Sequence, residues 1–531
     1  MKRTTLTIVN VLFLLVLFVL WAEAYPILGI DKSSFASSLV SDSQAEGKKA
    51  SDSQDKTKKA DSTKETTSVT KHSIVLRGKT IDYTATAGTI LLKTEEGKAK
   101  GSLFYIAYTK DGVKDPSQRP IMFCFNGGPG GPAVWVHLGA FGPKKSLLDD
   151  EGFPVMPPPG KLIDNEFSAL DLTDLVFIDP MSTGYSRPVP GGDPKEFYGF
   201  EKDVESVAEF IRLYVTRNKR WLSPKFLAGE SYATTRVSGL ANHLQSRYGM
   251  FLNGVILISV ILNWQNTDWS IGNDMAYITF LPSYTAAAWY HGKLGPELSG
   301  DLRAALDKAE EFAINEFALA LLKGNKLEPA KKAEIITKLS QFTGLSEEFL
   351  ERSNMRVTES RFYKELLRDQ GKTVGRLDTR YTGVDRESAG EAPEFDQSWS
   401  IVIGSYVSLI NDYIRRNLKY ENDLPYNYLA RVQPWPLRPG GSGYLNTAEI
   451  LRQAMHMNPQ LKVLIASGYY DFATPYFDAD YTVAHMDLAE EFQKNITMTY
   501  YESGHMMYVR KTAHQKFRKD MEDFIQKALA K

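Results

Sequence analysis

The stretch Lys225-Phe-Leu-Ala-Gly-Glu-Ser-Tyr-Ala233 joins two kinds of pattern. Lys225 to Ala228 is a short continuous apolar run of the sort that forms a buried parallel strand, and Tyr232 to Gly249 carries apolar residues at helical spacing. Gly229-Glu230-Ser231-Tyr232-Ala233 between them approximates G-x-S-x-G, with Ala in place of the last Gly. Small flanking residues let strand and helix approach closely, so a serine on this turn is thrust outward. Taken alone, Ser231 is equally an ordinary serine capping a helix N-terminus.

Outward from this turn the same alternation repeats. Ile121 to Phe125, Leu175 to Ile178, Gly254 to Ser259, Val463 to Ala466 and Ile496 to Tyr501 read as buried strands, with helical stretches such as Glu201 to Asn218 between some of them. Alternation of this kind predicts an α/β fold with a mostly parallel central sheet and flanking helices. From Ser73 to Lys110, short alternating runs separated by glycine-containing turns predict antiparallel hairpins at the sheet's opening edge. Between Gln265 and Gly440 the pattern turns helical: Leu302, Leu306, Ala309 and Phe312 share a face, Pro329 opens another helix and Ser346 a third. Residues 265–440 are therefore expected to form an inserted, mostly helical cap. It divides a core of 73–264 and 441–531, which an amphipathic helix from Thr512 to Leu529 closes.

The first 72 residues read differently. Lys2 and Arg3 precede the apolar run Val11 to Ala22, and Ala22-Glu23-Ala24 has the form of a signal-peptidase site, so 1–24 is expected to be a cleaved export signal. The competing reading is an uncleaved anchor, because Leu6 to Ala22 falls just short of a bilayer span. Residues 25–72 are rich in Ser, Lys, Asp and Thr, and Ser41 to Ala50 recurs imperfectly as Ser51 to Ala60; a disordered polar linker is expected. The destination would be the periplasm or the exterior.

Composition narrows the function. With 63 Lys plus Arg against 64 Asp plus Glu, the net charge of -1 supplies no basic field for nucleic acid. The one cysteine, Cys124, cannot form an internal disulfide and lies in an apolar run, where it acts as a small hydrophobe. There is no G-x-x-x-x-G-K-[ST] for phosphate, and neither H-E-x-x-H nor a Cys/His cluster for a metal. No cofactor and no metal are expected, and oligomeric state is not legible.

A serine hydroxyl needs a base to remove its proton, and in folds of this kind an acid and then a histidine follow the serine in the chain. Two later strand ends supply them: Asp471 after Val463 to Ala466, and His505 after Ile496 to Tyr501. His505 would be the base toward Ser231, with Asp471 fixing its tautomer. Each also has a plain reading, as a structural histidine and a turn aspartate. His485, Asp478 and Asp480 are weaker rivals, lying on a helix or farther from a strand end. Directly after an early strand, Asn126-Gly-Gly-Pro-Gly-Gly-Pro132 offers backbone N–H groups; Gly128 N–H with Tyr232 N–H would form an oxyanion hole. The loop also reads as a Gly/Pro turn.

Asn126-Gly-Gly-Pro-Gly, Ile178-Asp-Pro-Met-Ser-Thr-Gly-Tyr-Ser186, Gly229-Glu-Ser-Tyr-Ala, Asp471 and Gly504-His-Met together resemble the serine carboxypeptidases, in a bacterial exported form, from about residue 75 onward. The resemblance implies an α/β-hydrolase fold with a helical cap, and release of single residues from peptides with a free C-terminus. It places the triad on Ser231, Asp471 and His505, the oxyanion donors on Gly128 and Tyr232, and recognition of the substrate carboxylate on Asn126, Gly127 and Glu230. Two carboxylates in contact cannot both be charged comfortably, so Glu230 must be protonated when substrate binds, which favours acidic pH. This chain departs from the family pattern in two places. Gly131-Pro132 replaces the family's disulfide-bonded Cys-Ser, and His137 occupies the place of a Glu that shares a proton with the elbow Glu. An imidazolium at His137 would hold Glu230 ionised or bind the substrate carboxylate; the plain alternative is a structural histidine beneath the loop. Trp135, Tyr185, Tyr469 and Tyr470 are candidates for apolar subsites. An esterase or acyltransferase on the same triad, or a non-catalytic binding protein, are the alternative functions.

Overall fold

The computed structural model describes residues 64–438 and 443–530. Strands β1 (Thr67–Leu76), β2 (Lys79–Lys93) and β3 (Ala99–Lys110) form two consecutive antiparallel hairpins. After them come β4 (Ile121–Phe125), β5 (Asp174–Ile178), β6 (Lys225–Ser231), β7 (Gly254–Val260), β8 (Lys462–Gly468) and β9 (Ile496–Tyr501). The spatial order is β1-β2-β3-β5-β4-β6-β7-β8-β9, with the two residues Arg187–Pro188 paired to β3. β3 meets β5 antiparallel, and every pair from β5 to β9 is parallel. All of the parallel strands thus end on one side, and the loops that follow β4, β6, β8 and β9 gather there. Ligand sites of open α/β sheets form at this edge.

Side-chain alternation divides the core into two layers. Met122 and Cys124 on β4 face one layer, while Ile121, Phe123 and Phe125 face the other. Helices α1 (Phe200–Arg217), α2 (Tyr232–Tyr248) and α7 (Thr447–Met457) cover the second face through Val207, Phe210, Leu240 and Leu451. The first face is covered by α6 (Gln397–Arg416) and α9 (Lys511–Leu529), through Tyr406, Ile410, Phe517 and Met521. A third cluster belongs to the insertion. There α3 (Met275–Tyr290), α4 (Leu302–Phe312) and α5 (Pro329–Thr343) bury Phe280, Leu306 and Leu339 with Tyr476 and Phe477 of α8 (Tyr476–Ala484). Pro329 opens α5, and the Ser346 hydroxyl accepts from Phe349 N–H to start a short helix.

The α/β-hydrolase expectation and the strand positions agree with this architecture. Two boundaries differ. Strand β1 starts at Thr67, inside the stretch read as linker; its alternating pattern is that of a polar edge strand, and Glu65 just before it accepts from Leu91 N–H and Arg217. Helix α6 falls within 265–440, yet Tyr406, Ile410 and Tyr413 recur at helical spacing and seal the sheet. The insertion is therefore part cap and part core. Among the described residues no helix is long and apolar enough to cross a membrane. The proposed signal and most of the proposed linker lie outside the described residues.

Candidate active site

Ser231 ends β6 with φ +63° and ψ -133°, backbone angles that an L-residue adopts only under strain. Its side chain does not cap the helix that follows, so the helix-cap reading fails. The glycine at 229 is a steric requirement. A Cβ there would lie 2.5 Å from Ala233 O and 2.9 Å from Val237 Cγ2, so the turn closes only with a hydrogen at that position.

Asp471 and His505 lie on the loops after the two neighbouring strands β8 and β9, and the structure brings them together: His505 Nδ1 is 2.7 Å from Asp471 Oδ2. Both are buried. The Asp471 carboxylate also accepts from Ala473 N–H (2.7 Å), Thr474 N–H (3.1 Å) and the Thr474 hydroxyl (2.7 Å). Burial would lower the His505 pKa, but the charge and hydrogen bond of Asp471 outweigh it, and the imidazole ends above its ordinary value. Ser231 pairs in the sheet with Val260, and the hydroxyl of the adjacent Ser259 donates to His505 C=O at 2.7 Å. The serine and the Asp–His pair are thus fixed by adjacent backbone. No hydrogen bond joins the Ser231 hydroxyl to His505 among the described residues, a looseness common in unliganded hydrolase sites.

A five-residue segment of the insertion holds both acid and base loops. On the acid side, Thr379 N–H donates to Tyr470 C=O (3.0 Å) and Phe472 N–H to Arg376 C=O (3.1 Å). On the base side, His505 N–H donates to Leu377 C=O (2.6 Å) and Gly504 N–H to Asp378 Oδ2 (3.0 Å). The Arg380 guanidinium grips the Asp378 carboxylate and reaches the Ser503 hydroxyl. A Cβ at Gly504 would meet Asp378 Cβ and Leu377 O at 2.4 Å.

The glycine loop packs on the elbow so tightly that a Cβ at Gly127 would lie 2.4 Å from Tyr232 N. Gly128, next in the chain, and Tyr232 line the same cavity as Ser231. Neither Gly127 N–H nor Gly128 N–H has an acceptor among the described residues. Asn126 is oriented on three sides. Its Oδ1 accepts from Trp135 N–H and Val136 N–H (3.1 and 3.0 Å), and its C=O accepts from Arg236, which is ion-paired with buried Asp203. That leaves its Nδ2 donating to Glu230 Oε1 at 2.8 Å. Glu230 is buried, its Oε2 has no hydrogen-bond partner among the described residues, and burial raises its pKa to about 7 against an opposing pull from His505.

His137 goes elsewhere. A wide π turn over Val136–Phe141 rotates its ring inward, where it stacks on Phe177 (4.3 Å) and Nε2 lies 2.7 Å from the Tyr108 hydroxyl. Burial lowers its pKa to about 3, which favours the neutral ring; the geometry is that of the structural histidine beneath the loop, not of an imidazolium beside Glu230. The Tyr508 hydroxyl is the neighbour of Glu230 instead, near enough to oppose the effect of burial on its pKa though not at hydrogen-bond geometry. The rivals separate as well: Asp478 accepts from Asn266, Asp480 from Tyr500, and His485 bonds the Tyr481 carbonyl.

The cavity beside Ser231 has a volume of about 350 Å³. Its aromatic wall is Tyr232, Trp264, Trp269, Phe280, Tyr444 and Phe472, not the proposed Trp135, Tyr185, Tyr469 and Tyr470. Trp135 is buried against Trp399, Tyr185 packs on Phe104, and Tyr469 lines a separate groove. Trp269 and Phe280 come from the insertion, and no local motif marks them.

Known proteins can be set beside this geometry. The chain is 24% identical over 208 residues to the lysosomal protective protein of mouse, and 30% identical over 167 residues to the pheromone-processing carboxypeptidase KEX1 of Saccharomyces cerevisiae. These alignments span 38% and 29% of this chain and only 38% and 22% of the respective relatives. The crystal structure of the prohormone-processing carboxypeptidase KEX1(delta)P from Saccharomyces cerevisiae superposes with a TM-score of 0.52 at 15% identity, covering 84% of this chain and 91% of that one, which establishes a shared fold. The family model described as serine carboxypeptidase matches residues 79–519, and by that match the chain belongs to the serine carboxypeptidase family.

Proposed function

We propose that the protein is a serine carboxypeptidase that removes C-terminal residues from peptides through an acyl-enzyme on Ser231. The observation that carries this reading is the 2.7 Å Asp471–His505 contact, tied through Ser259 to the strand beside the Ser231 turn. In the first step His505 Nε2 takes the Ser231 proton as Oγ attacks the carbonyl carbon, and Asp471 stabilises the imidazolium. The oxyanion that develops is met by the N–H groups of Gly128 and Tyr232. His505 then protonates the leaving amine, the peptide C–N bond breaks, and water repeats the sequence to release the shortened peptide.

Exopeptidase character comes from the other end of the site. The Asn126 side chain, Gly127 N–H and Glu230 form a recess for the substrate's α-carboxylate. Glu230 meets that anion in its protonated form, donating one hydrogen bond, which its raised pKa of about 7 allows in acidic to neutral solution. In this reading the N-terminal 24 residues direct export, to the periplasm or the exterior, and substrates are peptides with a free C-terminus.

The test is product timing by mass spectrometry on one peptide as free acid and as C-terminal amide. Stepwise loss from the free acid, little or none from the amide and none with Ser231→Ala is the expected result. Equal cleavage of acid and amide would make the protein an esterase-like or endopeptidic hydrolase instead.

A further inference from the structure

The 350 Å³ cavity carries more information than its shape. It is lined by Ser231, Gly128 and Tyr232, but not by Asn126, Glu230 or His505. In the proposed reaction the leaving residue lies toward His505, which protonates its amine, and toward Asn126 and Glu230, which hold its carboxylate. The residue that supplies the attacked carbonyl therefore lies on the opposite side, and its side chain enters this cavity.

Apart from its tyrosines, three ionisable side chains line the cavity: Asp268, Glu359 and Arg376. Asp268 is already engaged. The Tyr444 hydroxyl donates to its Oδ2 at 2.8 Å and Ser270 donates through both its hydroxyl and its N–H; these bonds prevail over burial and hold it below the ordinary carboxylate range. Glu359 is shifted the other way, with burial favouring its neutral form over the pull of Arg376. Arg376 differs from both. Its backbone is anchored, N–H to Asp396 Oδ1 (2.9 Å) and C=O to Phe472 N–H (3.1 Å), while its exposed guanidinium makes no hydrogen bond or ion pair among the described residues. A cation fixed at its base, without a hydrogen bond or ion pair at its tip, within electrostatic reach of Glu359 and facing an aromatic-walled cavity beside the nucleophile is built to meet an anion.

We infer that Arg376 is a specificity determinant that selects peptides with aspartate or glutamate at the penultimate position, pairing its guanidinium with that side-chain carboxylate. The inference rests on the carboxypeptidase reading and names its substrate class. The remaining walls suit the methylene stem of glutamate, and glutamine, its neutral isostere, isolates the charge.

The experiment compares kcat/KM for four free-acid peptides that differ only in a penultimate Glu, Gln, Leu or Lys, at low ionic strength, with wild type, R376Q and R376E. An ion pair at an exposed site is worth up to about 1 kcal/mol, so wild type is expected to favour Glu over Gln by about fivefold. The ratio should fall to about one in R376Q and with added salt, and R376E should favour Lys over Glu. A Glu-to-Gln ratio unchanged in R376Q, or a wild type that prefers Lys, would overturn the proposal. Failure of wild type to release a terminal residue from any of the four would instead sink the carboxypeptidase reading, and the inference with it.

Discussion

The site contains two buried carboxylates that the fold treats in opposite ways. Asp471 is met by two backbone N–H groups, a threonine hydroxyl and the His505 ring. Glu230 receives one hydrogen bond, from Asn126, and its second oxygen is left without a partner among the described residues. The same chemical group is thus given the surroundings of an anion at one end and of an acid at the other. In the proposed reaction, hydrogen-bonded charge at Asp471 would serve the imidazolium, while under-solvation at Glu230 would keep a proton available for a substrate that is itself an anion.

The comparison breaks most severely at the nucleophile it serves. Ser231→Ala should lower kcat by on the order of 10⁴-fold or more and abolish fluorophosphonate labelling, with the thermal transition little changed. Asp471→Asn keeps the size of the side chain but offers an N–H where the ring needs an acceptor, and should cost on the order of 10⁴-fold in kcat, read by single-turnover acylation. Asp378→Ala attacks the same end from the insertion. It strips the acceptor from Gly504 N–H and leaves the buried Arg380 charge with only its longer 3.4 Å ion-pair contact to Glu151, so a loss of about 3 kcal/mol of stability is expected. Activity under conditions where it stays folded should fall about 10²-fold as the His505 loop shifts.

Glu230→Gln sharpens the contrast at the other end. Folded Glu230 holds its proton up to about 7, against 4.5 for a free side chain, so its contribution to stability is complete below about pH 4.5 and is lost as pH rises through about 7. The variant should lose that part of the decline in melting temperature between pH 4 and 8, and its kcat/KM on free-acid peptides should no longer fall as pH passes 7 on account of this group. The smallest effect belongs to His137→Phe, which keeps the stack on Phe177 and removes one partner of the Tyr108 hydroxyl. About 1 kcal/mol of stability and an unaltered pH–rate profile are expected from denaturant titration and kinetics.

How much of this was legible in the sequence depends on the range over which each feature is encoded. The Ser231 turn, the strands and the Gly127–Gly128 loop are written locally, because their sterics involve near neighbours in the chain. Asp471 and His505 were legible as strand-end residues, but their meeting depends on β8 and β9 being adjacent in the sheet. His137 stays open between two readings in the sequence because its place in the chain says nothing of ring direction: one π turn aims it into the aromatic core, away from the elbow. Trp269, Phe280 and Arg376 are brought to the cavity by docking of the insertion, a long-range event with no motif. The first part of edge strand β1, residues 67–72, reads as linker because its Ser, Thr, Lys and His residues are as polar as a linker's.

The grip of Leu377 and Asp378 on the residues around His505 bears on how such an enzyme can be re-engineered. The insertion is not a removable cover: trimming it back to an open-faced version would also free the loop that presents the imidazole. A chimera that exchanges this region for that of a relative, to alter what it digests, would have to preserve the short tie to both loops while varying everything around it.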